Sequence, residues 1–206
     1  MAKQKQAIVT GSNDADAMIQ DGEPYTAIVS ITGTTDLIMH RYSVDSVAEK
    51  SKALKGSKGK KTDDIESYVY RSPTGGLIVP ATCLLASVRD AGRSVPDPRS
   101  PRKSSMDLIK CAIIGQRDGD LGAKTWDRID RRRVCVQRAA ITRERPAMLA
   151  GWRATFELGV IQPEYVTMDF LAMLLQRAGA MVGVLDFRPT YGRFRVESLT
   201  RKALLD

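Results

Sequence analysis

The stretch Trp152-Arg-Ala-Thr-Phe-Glu-Leu-Gly-Val-Ile161 decides the fold class. Trp152, Ala154, Phe156, Leu158 and Val160 fall on one side of it, and Arg153, Thr155 and Glu157 on the other. Side chains alternate faces along a strand, so this period of two predicts a strand buried on one face and solvated on the other, as antiparallel sheets allow. Downstream, Thr167 is placed to cap a helix whose Leu171, Leu174, Leu175 and Ala178 form one apolar stripe, and Gly179 is expected to end it. A glycine-marked loop then leads to a last strand, Arg193 to Leu199, with Phe194 and Val196 turned inward. Upstream, Val134 to Thr142 reads as a further strand, broken at Arg145-Pro146.

The N-terminal half supplies the matching elements. Tyr25 to Thr32 is rich in β-branched residues and puts Ala27, Val29 and Ile31 on one face, which predicts a strand. Glu66 to Tyr70 and Leu77 to Val79 flank the turn signature Ser72-Pro-Thr-Gly-Gly76, a short hairpin. Pro80 suits the first position of a helix in which Ala81, Leu84, Leu85 and Val88 recur at i, i+3, i+4 and i+7, with Gly92 as its stop. Two segments, about 41–79 and 94–132, read as large basic insertions; the second carries Pro96, Pro98 and Pro101 and is expected to be irregular. Without them the order is strand, helix, strand, strand, helix, strand. That is the α+β, ferredoxin-like βαββαβ arrangement, an antiparallel sheet with both helices on one face. The two helices end alike, Val88-Arg-Asp-Ala-Gly-Arg93 and Leu175-Gln-Arg-Ala-Gly-Ala180, in keeping with a pseudo-twofold core. Residues 1–24 read as a polar arm, 25–199 as one domain with its insertions, and 200–206 as a tail.

Composition narrows the function. Lys and Arg total 32 against 24 Asp and Glu, giving a formal charge of +8 and a pI near 9.5, a balance that attracts polyanions. No apolar run reaches the ~18 residues of a spanning helix, and the N-terminus lacks a signal-peptide core, so the expectation is a protein of the bacterial host cytoplasm without a membrane partner. Cys83, Cys111 and Cys135 are odd in number and far apart, which points to buried free thiols in a reducing cytoplasm rather than a disulfide framework or a zinc site. The only histidine is His40, so mechanisms that need two are excluded. No cofactor, metal-ligand set or catalytic residue is expected, and the chain is read as a non-enzyme.

Five clusters are candidate nucleic-acid contacts. Lys50, Lys52, Lys55, Lys58, Lys60 and Lys61 lie with Gly56 and Gly59 in a segment that cannot form a core, where they either meet phosphates or keep a loop solvated. Arg99, Arg102 and Lys103 sit in the second insertion. Arg131, Arg132 and Arg133 enter a strand within a longer run, Arg128 to Arg145, and arginine suits bidentate phosphate contact; the alternative is pairing with Asp107, Asp118, Asp120 and Asp127. In the loop Gly179 to Phe194, Arg188, Tyr191 and Arg193 offer charge and a stacking surface, whereas Phe187 reads as core. His40 and Arg41 follow the first strand; His40 could act as a general acid or base, but a phosphate-contacting role is preferred. The outward residues Arg153, Thr155, Glu157, Arg193, Arg195 and Glu197 offer no aromatic pair, which argues against RRM-type recognition on the sheet.

The pattern Ala178-Gly179, Gly183, Asp186-Phe187-Arg188-Pro189 and Tyr191-Gly192-Arg193-Phe194 after an amphipathic helix resembles a family of bacteriophage proteins related to the RAMP superfamily, notably the backbone-forming subunits of CRISPR effector complexes. Leu37-Ile38-Met39-His40-Arg41 and Gly75-Gly76-Leu77-Ile78-Val79-Pro80 carry the same resemblance, which spans about residues 25–199. It implies a ferredoxin-like core with inserted loops, a glycine-rich loop after the second helix, and side-by-side assembly as a homo-oligomer or filament along single-stranded DNA or RNA. The sequence departs from the processing nucleases of that superfamily in having only Gly179 and Gly183 early in the loop, which weakens an RNA-cleaving role. The expected function is sequence-tolerant binding of single-stranded nucleic acid. The alternatives are an interaction protein that mimics or regulates CRISPR-type complexes and a His40-dependent endoribonuclease.

Overall fold

The computed structural model describes residues 22–42, 52, 64–136 and 139–204. Strand β1 (Tyr25–Gly33) is an interior strand of a five-stranded sheet with β3 (Ile78–Val79), β6 (Ile113–Asp120), β9 (Arg153–Val160) and β10 (Phe194–Ala203), in which β9 is central. The order is β10-β1-β9-β6-β3, and every neighbouring pair is antiparallel. β2 (Leu37–Ile38), β7 (Arg128–Val136) and β8 (Ala139–Met148) form a separate three-stranded sheet in the order β2-β8-β7. The short strands β4 (Pro96–Asp97) and β5 (Ser100–Ser104) pair with each other. Three helices accompany them among the described residues: α1 (Ala81–Ala91), α2 (Met106–Ala112) and α3 (Met168–Arg177).

The alternation in β9 holds. Ala154, Phe156, Leu158 and Val160 are buried, while Arg153 and Thr155 are exposed. They join Ala27, Val29 and Ile31 of β1, Leu84 and Val88 of α1, and Leu171, Leu174 and Leu175 of α3 in one core. α1 and α3 contact each other and cover that face of the sheet. The opposite face is polar and internally paired. Glu157 takes Arg117 at 3.3 Å and Lys202 at 2.8 Å, Arg195 meets Glu197 at 2.7 Å, and the Thr26 hydroxyl donates to Gln116 at 2.8 Å. Local signals behave as expected at the helix starts. The Thr167 side chain accepts from the Phe170 amide at 3.2 Å, and α1 begins after Pro80, its Ala81 amide donating to Asp118 Oδ1 at 2.8 Å.

Several expectations need correction. Residues 94–132 are not irregular: they hold β4, β5, α2 and the core strand β6. Correspondingly, Val134 to Thr142 is not a core strand, but the far end of the β7–β8 ribbon. Arg145-Pro146 does not break that ribbon. Pro146 pairs opposite Ile129, and its carbonyl accepts from the Met39 amide at 3.0 Å. β6 was hard to see because Gly115 and Gly119 stand where apolar side chains would mark a strand. A Cβ at Gly119 would lie 2.5 Å from the Phe156 ring, and one at Gly115 would lie 2.7 Å from the Ala81 Cβ, so the missing side chains make room for the neighbours.

Three smaller corrections concern element ends. The N-terminal arm of the expected hairpin starts as a 3-10 turn, Glu66–Tyr68; the hairpin itself is short, with Arg71 bridged to Leu77, the Ile78 amide donating to the Tyr70 carbonyl at 3.0 Å and the Ser72 amide to the Gly76 carbonyl at 2.9 Å. α3 does not stop at Gly179 but continues as a π-helical turn, Ala178–Val182; Gly179 is required by close approach, since a Cβ there would sit 2.2 Å from the Phe194 carbonyl oxygen. The last strand runs on to Ala203 because residues 200–203 pair with Tyr25 to Ile28, so no free tail begins at 200.

Phe156 is fully buried between β6 and the helical layer. Phe156→Ala should therefore lower the stability of the chain by about 3–5 kcal/mol, read as a shift in the urea midpoint at unchanged slope.

Candidate nucleic-acid interface

Of the candidate residues, His40, Arg132 and Tyr191 come together where the base of the β7–β8 ribbon meets the loop between α3 and β10. That loop is held by backbone contacts. Val184 and Gly192 are joined by an amide-to-carbonyl bond of 2.9 Å, the Gly192 amide donates to the Asp36 carbonyl at 2.8 Å, and the Asp186 amide donates to the Ile38 carbonyl at 3.2 Å. Gly192 has φ +70, and a Cβ there would meet the Val184 carbonyl oxygen at 1.9 Å, so no other residue fits. Leu185 (φ 61) and Phe187 (φ 52) also occupy the left-handed region, which is costly for side chains of their size.

Charge pairs fix the loop to the ribbon. Arg145 is buried, with Nη1 2.9 Å from Asp186 Oδ2. Asp186 Oδ2 also lies 3.7 Å from His40 Nδ1, and the His40 ring stands edge-on to Tyr68 with centroids 4.9 Å apart. The guanidinia of Arg132 and Arg145 each lie 4.4 Å from the centre of the Phe187 ring, and Arg132 lies 4.6 Å from that of Tyr191. These cation–π contacts explain why Phe187, expected in the core, sits half-buried at this junction. Arg128 Nη2 pairs with Asp36 Oδ2 at 2.8 Å, while Asp36 Oδ1 accepts from the Ala150 amide at 2.9 Å, so one aspartate ties the segment after β1 to the ribbon base.

The expected contact residues divide into paired and unpaired groups. Arg131 is exposed and 2.7 Å from Glu144, Arg132 pairs with the buried Asp130, Arg99 is held by Asp97 at 2.7 Å, and Arg188 lies 3.8 Å from Asp90. Arg193 Nε donates to the Pro189 carbonyl at 2.7 Å, and Tyr191 has Arg132 on its ring. Arg41, Arg102, Lys103 and Arg133 are exposed and make no ion pair among the described residues. The expected acids are not the partners. Asp118, Asp120 and Asp127 bind the amides of Ala81, Gly122 and Leu149, whereas the arginines pair with Asp36, Asp130, Glu144 and Asp186. A continuous cationic surface over all the candidates is therefore not what these residues form; local pairing interrupts it. Lys52 is exposed, and Lys50, Lys55, Lys58, Lys60 and Lys61 lie outside the described residues.

The ribbon is rich in arginine, but much of that charge is already engaged: Arg128, Arg131 and Arg132 are paired, Arg145 is buried, and Arg133 is exposed with no ion pair among the described residues. Residues 128–148 hold seven arginines, Arg128, Arg131, Arg132, Arg133, Arg138, Arg143 and Arg145, against the acids Asp130 and Glu144. β2 pairs only with Ala147 and Met148 of β8, so from Pro146 outward β7 and β8 pair with each other alone among the described residues. Arg145 and Asp186 stand in the arginine run and the loop pattern read from the sequence, but neither is among the expected contacts and their pairing was not foreseen. Their pairing spans 41 positions that no local pattern connects.

The Arg132 hydrogen bond holds the Asp130 carboxyl below the usual carboxylate range. Its folded value is lower than its unfolded one, so its contribution to stability is complete above about pH 4 and disappears as pH falls through the folded value. The urea midpoint of the protein should drop over this acid window, and Asp130→Asn should lower the midpoint at pH 7 while flattening that part of the profile.

No protein-family model matches the chain, and no curated protein matches it in sequence. Among solved structures it is similar to a chain of the Type III-B Cmr-β assembly, determined by cryo-electron microscopy bound to cognate target RNA, with a TM-score of 0.53 and 10% identity. The match covers 88% of this chain and 61% of that one, so the chain spans less than two thirds of that subunit's length. At this identity the likeness is one of fold alone: a mixed α+β protein with antiparallel sheets and three helices among the described residues.

Proposed function

We propose that the chain is a non-enzymatic, RAMP-like protein of phage type that binds single-stranded DNA or RNA with little regard to sequence and assembles as a homo-oligomer along the strand. Its core is read as ferredoxin-like: β1, α1, β6, β9, α3 and β10 follow the βαββαβ order, and the four strands lie as β10-β1-β9-β6.

The observation that carries this reading is the arginine-rich ribbon. Arginine presents a planar fork to phosphate oxygens, and a two-stranded ribbon is narrow enough to lie along a polynucleotide. The open sheet face is a poor competitor, because Arg117, Lys202 and Arg195 are already paired there with Glu157 and Glu197, and it carries no aromatic platform. The likeness to a subunit from an RNA-bound assembly supports the same ligand class. The exposed, unpaired cations Arg133 on the ribbon, Arg41 beside the Tyr68 turn, and Arg102 and Lys103 on β5 are the phosphate contacts; the Arg41 amide donates a hydrogen bond of 2.9 Å to the Tyr68 carbonyl.

Binding of this kind releases counterions. Four neutralised phosphates give a slope of about −2.8 in log affinity against log salt, a weakening of ~50-fold between 50 and 200 mM. Fluorescence polarisation with mixed-sequence oligonucleotides should show this slope, and Arg133→Ala should reduce it by about 0.7. Absence of binding at the lower salt concentration would remove the proposal. A complex that survives nuclease treatment would favour a protein partner instead.

A further inference from the structure

Between α1 and α2 lies a groove of about 220 Å³, lined by Leu85, Ala86, Ile109 and Ile113 together with Arg89 and Lys110. Lys110 is exposed and makes no ion pair among the described residues. Arg89 Nη2 lies 3.5 Å from its neighbour Asp90, but its Nε is buried without a hydrogen-bond acceptor among the described residues. A buried donor left in that state is rare and calls for an explanation. The groove therefore suits one apolar side chain flanked by carboxylates. Such a segment stands just upstream of β1. Residues 6–24 hold four acids, Asp14, Asp16, Asp21 and Glu23, and no lysine or arginine, and Met18-Ile19 lies between Asp16 and Asp21. The first described residue is Gly22, three positions before β1. Tyr25 stands opposite Val160 of β9, and Val160 opposite Ile113 of β6, so two inter-strand steps of ~4.8 Å separate Tyr25 from Ile113. The four positions from Gly22 back to Met18 span up to about 14 Å, which brings Met18 within reach of the groove of its own copy.

We propose that residues 14–21, which lie outside the described residues, dock in this groove in cis. Met18 enters between α1 and α2, and Asp16 and Asp21 face Lys110 and Arg89. The space is adequate, because a dry cavity of ~150 Å³ holds the six carbons of benzene and a methionine side chain has four heavy atoms. Its unbranched chain also adapts to irregular gaps. A wider groove of about 560 Å³ opens beside Gly22 itself, but Glu164 and Asp169 line it with Arg201, and two carboxylates oppose an acidic occupant there. α2 follows directly on β5, where Arg102 and Lys103 are exposed. The docked acids screen these cations, so the arm and a bound strand compete for one corner of the molecule. The docking stands by itself, whereas the competition rests on the strand-binding reading.

The test is disulfide trapping in the full chain. Met18→Cys is combined with Ala86→Cys in the proposed groove or with Glu164→Cys in the wider one, and oxidation rates are compared. Cys111 and Cys135 are exposed, against the expectation of buried thiols, so each link is located by peptide mapping. The link between positions 18 and 86 should form about tenfold faster than that between 18 and 164, within one chain. Lys110→Glu should slow it about fivefold, and so should a saturating mixed-sequence oligonucleotide at low salt. If Ala86→Cys fails to fold, Thr82→Cys at the exposed rim of the groove takes its place. Equal rates for the two pairs, or indifference to Lys110→Glu in a folded protein, would overturn the docking. A link that joins two chains would overturn the assignment in cis. An oligonucleotide that binds without slowing the link would overturn the competition alone. Failure to bind any oligonucleotide would instead remove the strand-binding reading and leave the docking to be decided by the thiol rates.

Discussion

The buried Arg145 guanidinium against Asp186 is the contact on which the placement of the candidate interface depends. It joins two parts of the chain that share no backbone ladder, the ribbon and the loop into β10. A buried charge is tolerated only when paired, so neither partner can leave without a penalty of about 3–5 kcal/mol. The Phe187 ring beneath the Arg132 and Arg145 guanidinia closes the same junction, and Asp36 adds a second tie through Arg128. The ribbon therefore leaves the body in a defined direction even though, beyond Pro146, it pairs only with itself among the described residues.

Much of the body could be read from the chain because it obeys simple periods. β1 and β9 alternate, α1 and α3 carry apolar stripes, and their starts are marked by Pro80 and Thr167. β6 escaped for a physical reason. Ile113-Ile-Gly-Gln-Arg-Asp-Gly-Asp120 has almost no inward side chains, since Gly115 faces Ala81 and Gly119 faces Phe156. Where a neighbour fills the space that a strand would fill with its own residues, the alternation that reveals strands is absent. Val134–Thr142 has strand composition and reads as the missing core strand, but it belongs to the ribbon.

The candidate site was legible in its residue types and not in its pairings. The arginine run, His40-Arg41 and the Asp186 to Arg193 loop stand out as charge and motif, and the structure brings Arg132, Arg145, His40, Asp186, Phe187 and Tyr191 to one junction. Which acid neutralises which arginine is a tertiary property. Arg128 finds Asp36 across 92 positions, while Asp118, close in sequence to the run, serves the amide of Ala81. Net charge of +8 therefore overstates how many cations are available, and the unpaired subset could be found only from coordinates.

The self-paired ribbon has a further consequence for association. Its two outer edges carry backbone donors and acceptors that no described strand covers, a template on which another chain could zip. Like-charged guanidinia along both strands keep identical copies apart, acting as an electrostatic guard on those edges. On the proposed reading, a polyphosphate that neutralised the arginines would lift that guard. Ligand engagement and copy-to-copy pairing would thus be coupled through one set of charges, with an isolated protomer protected from polymerising until it meets a polyanion.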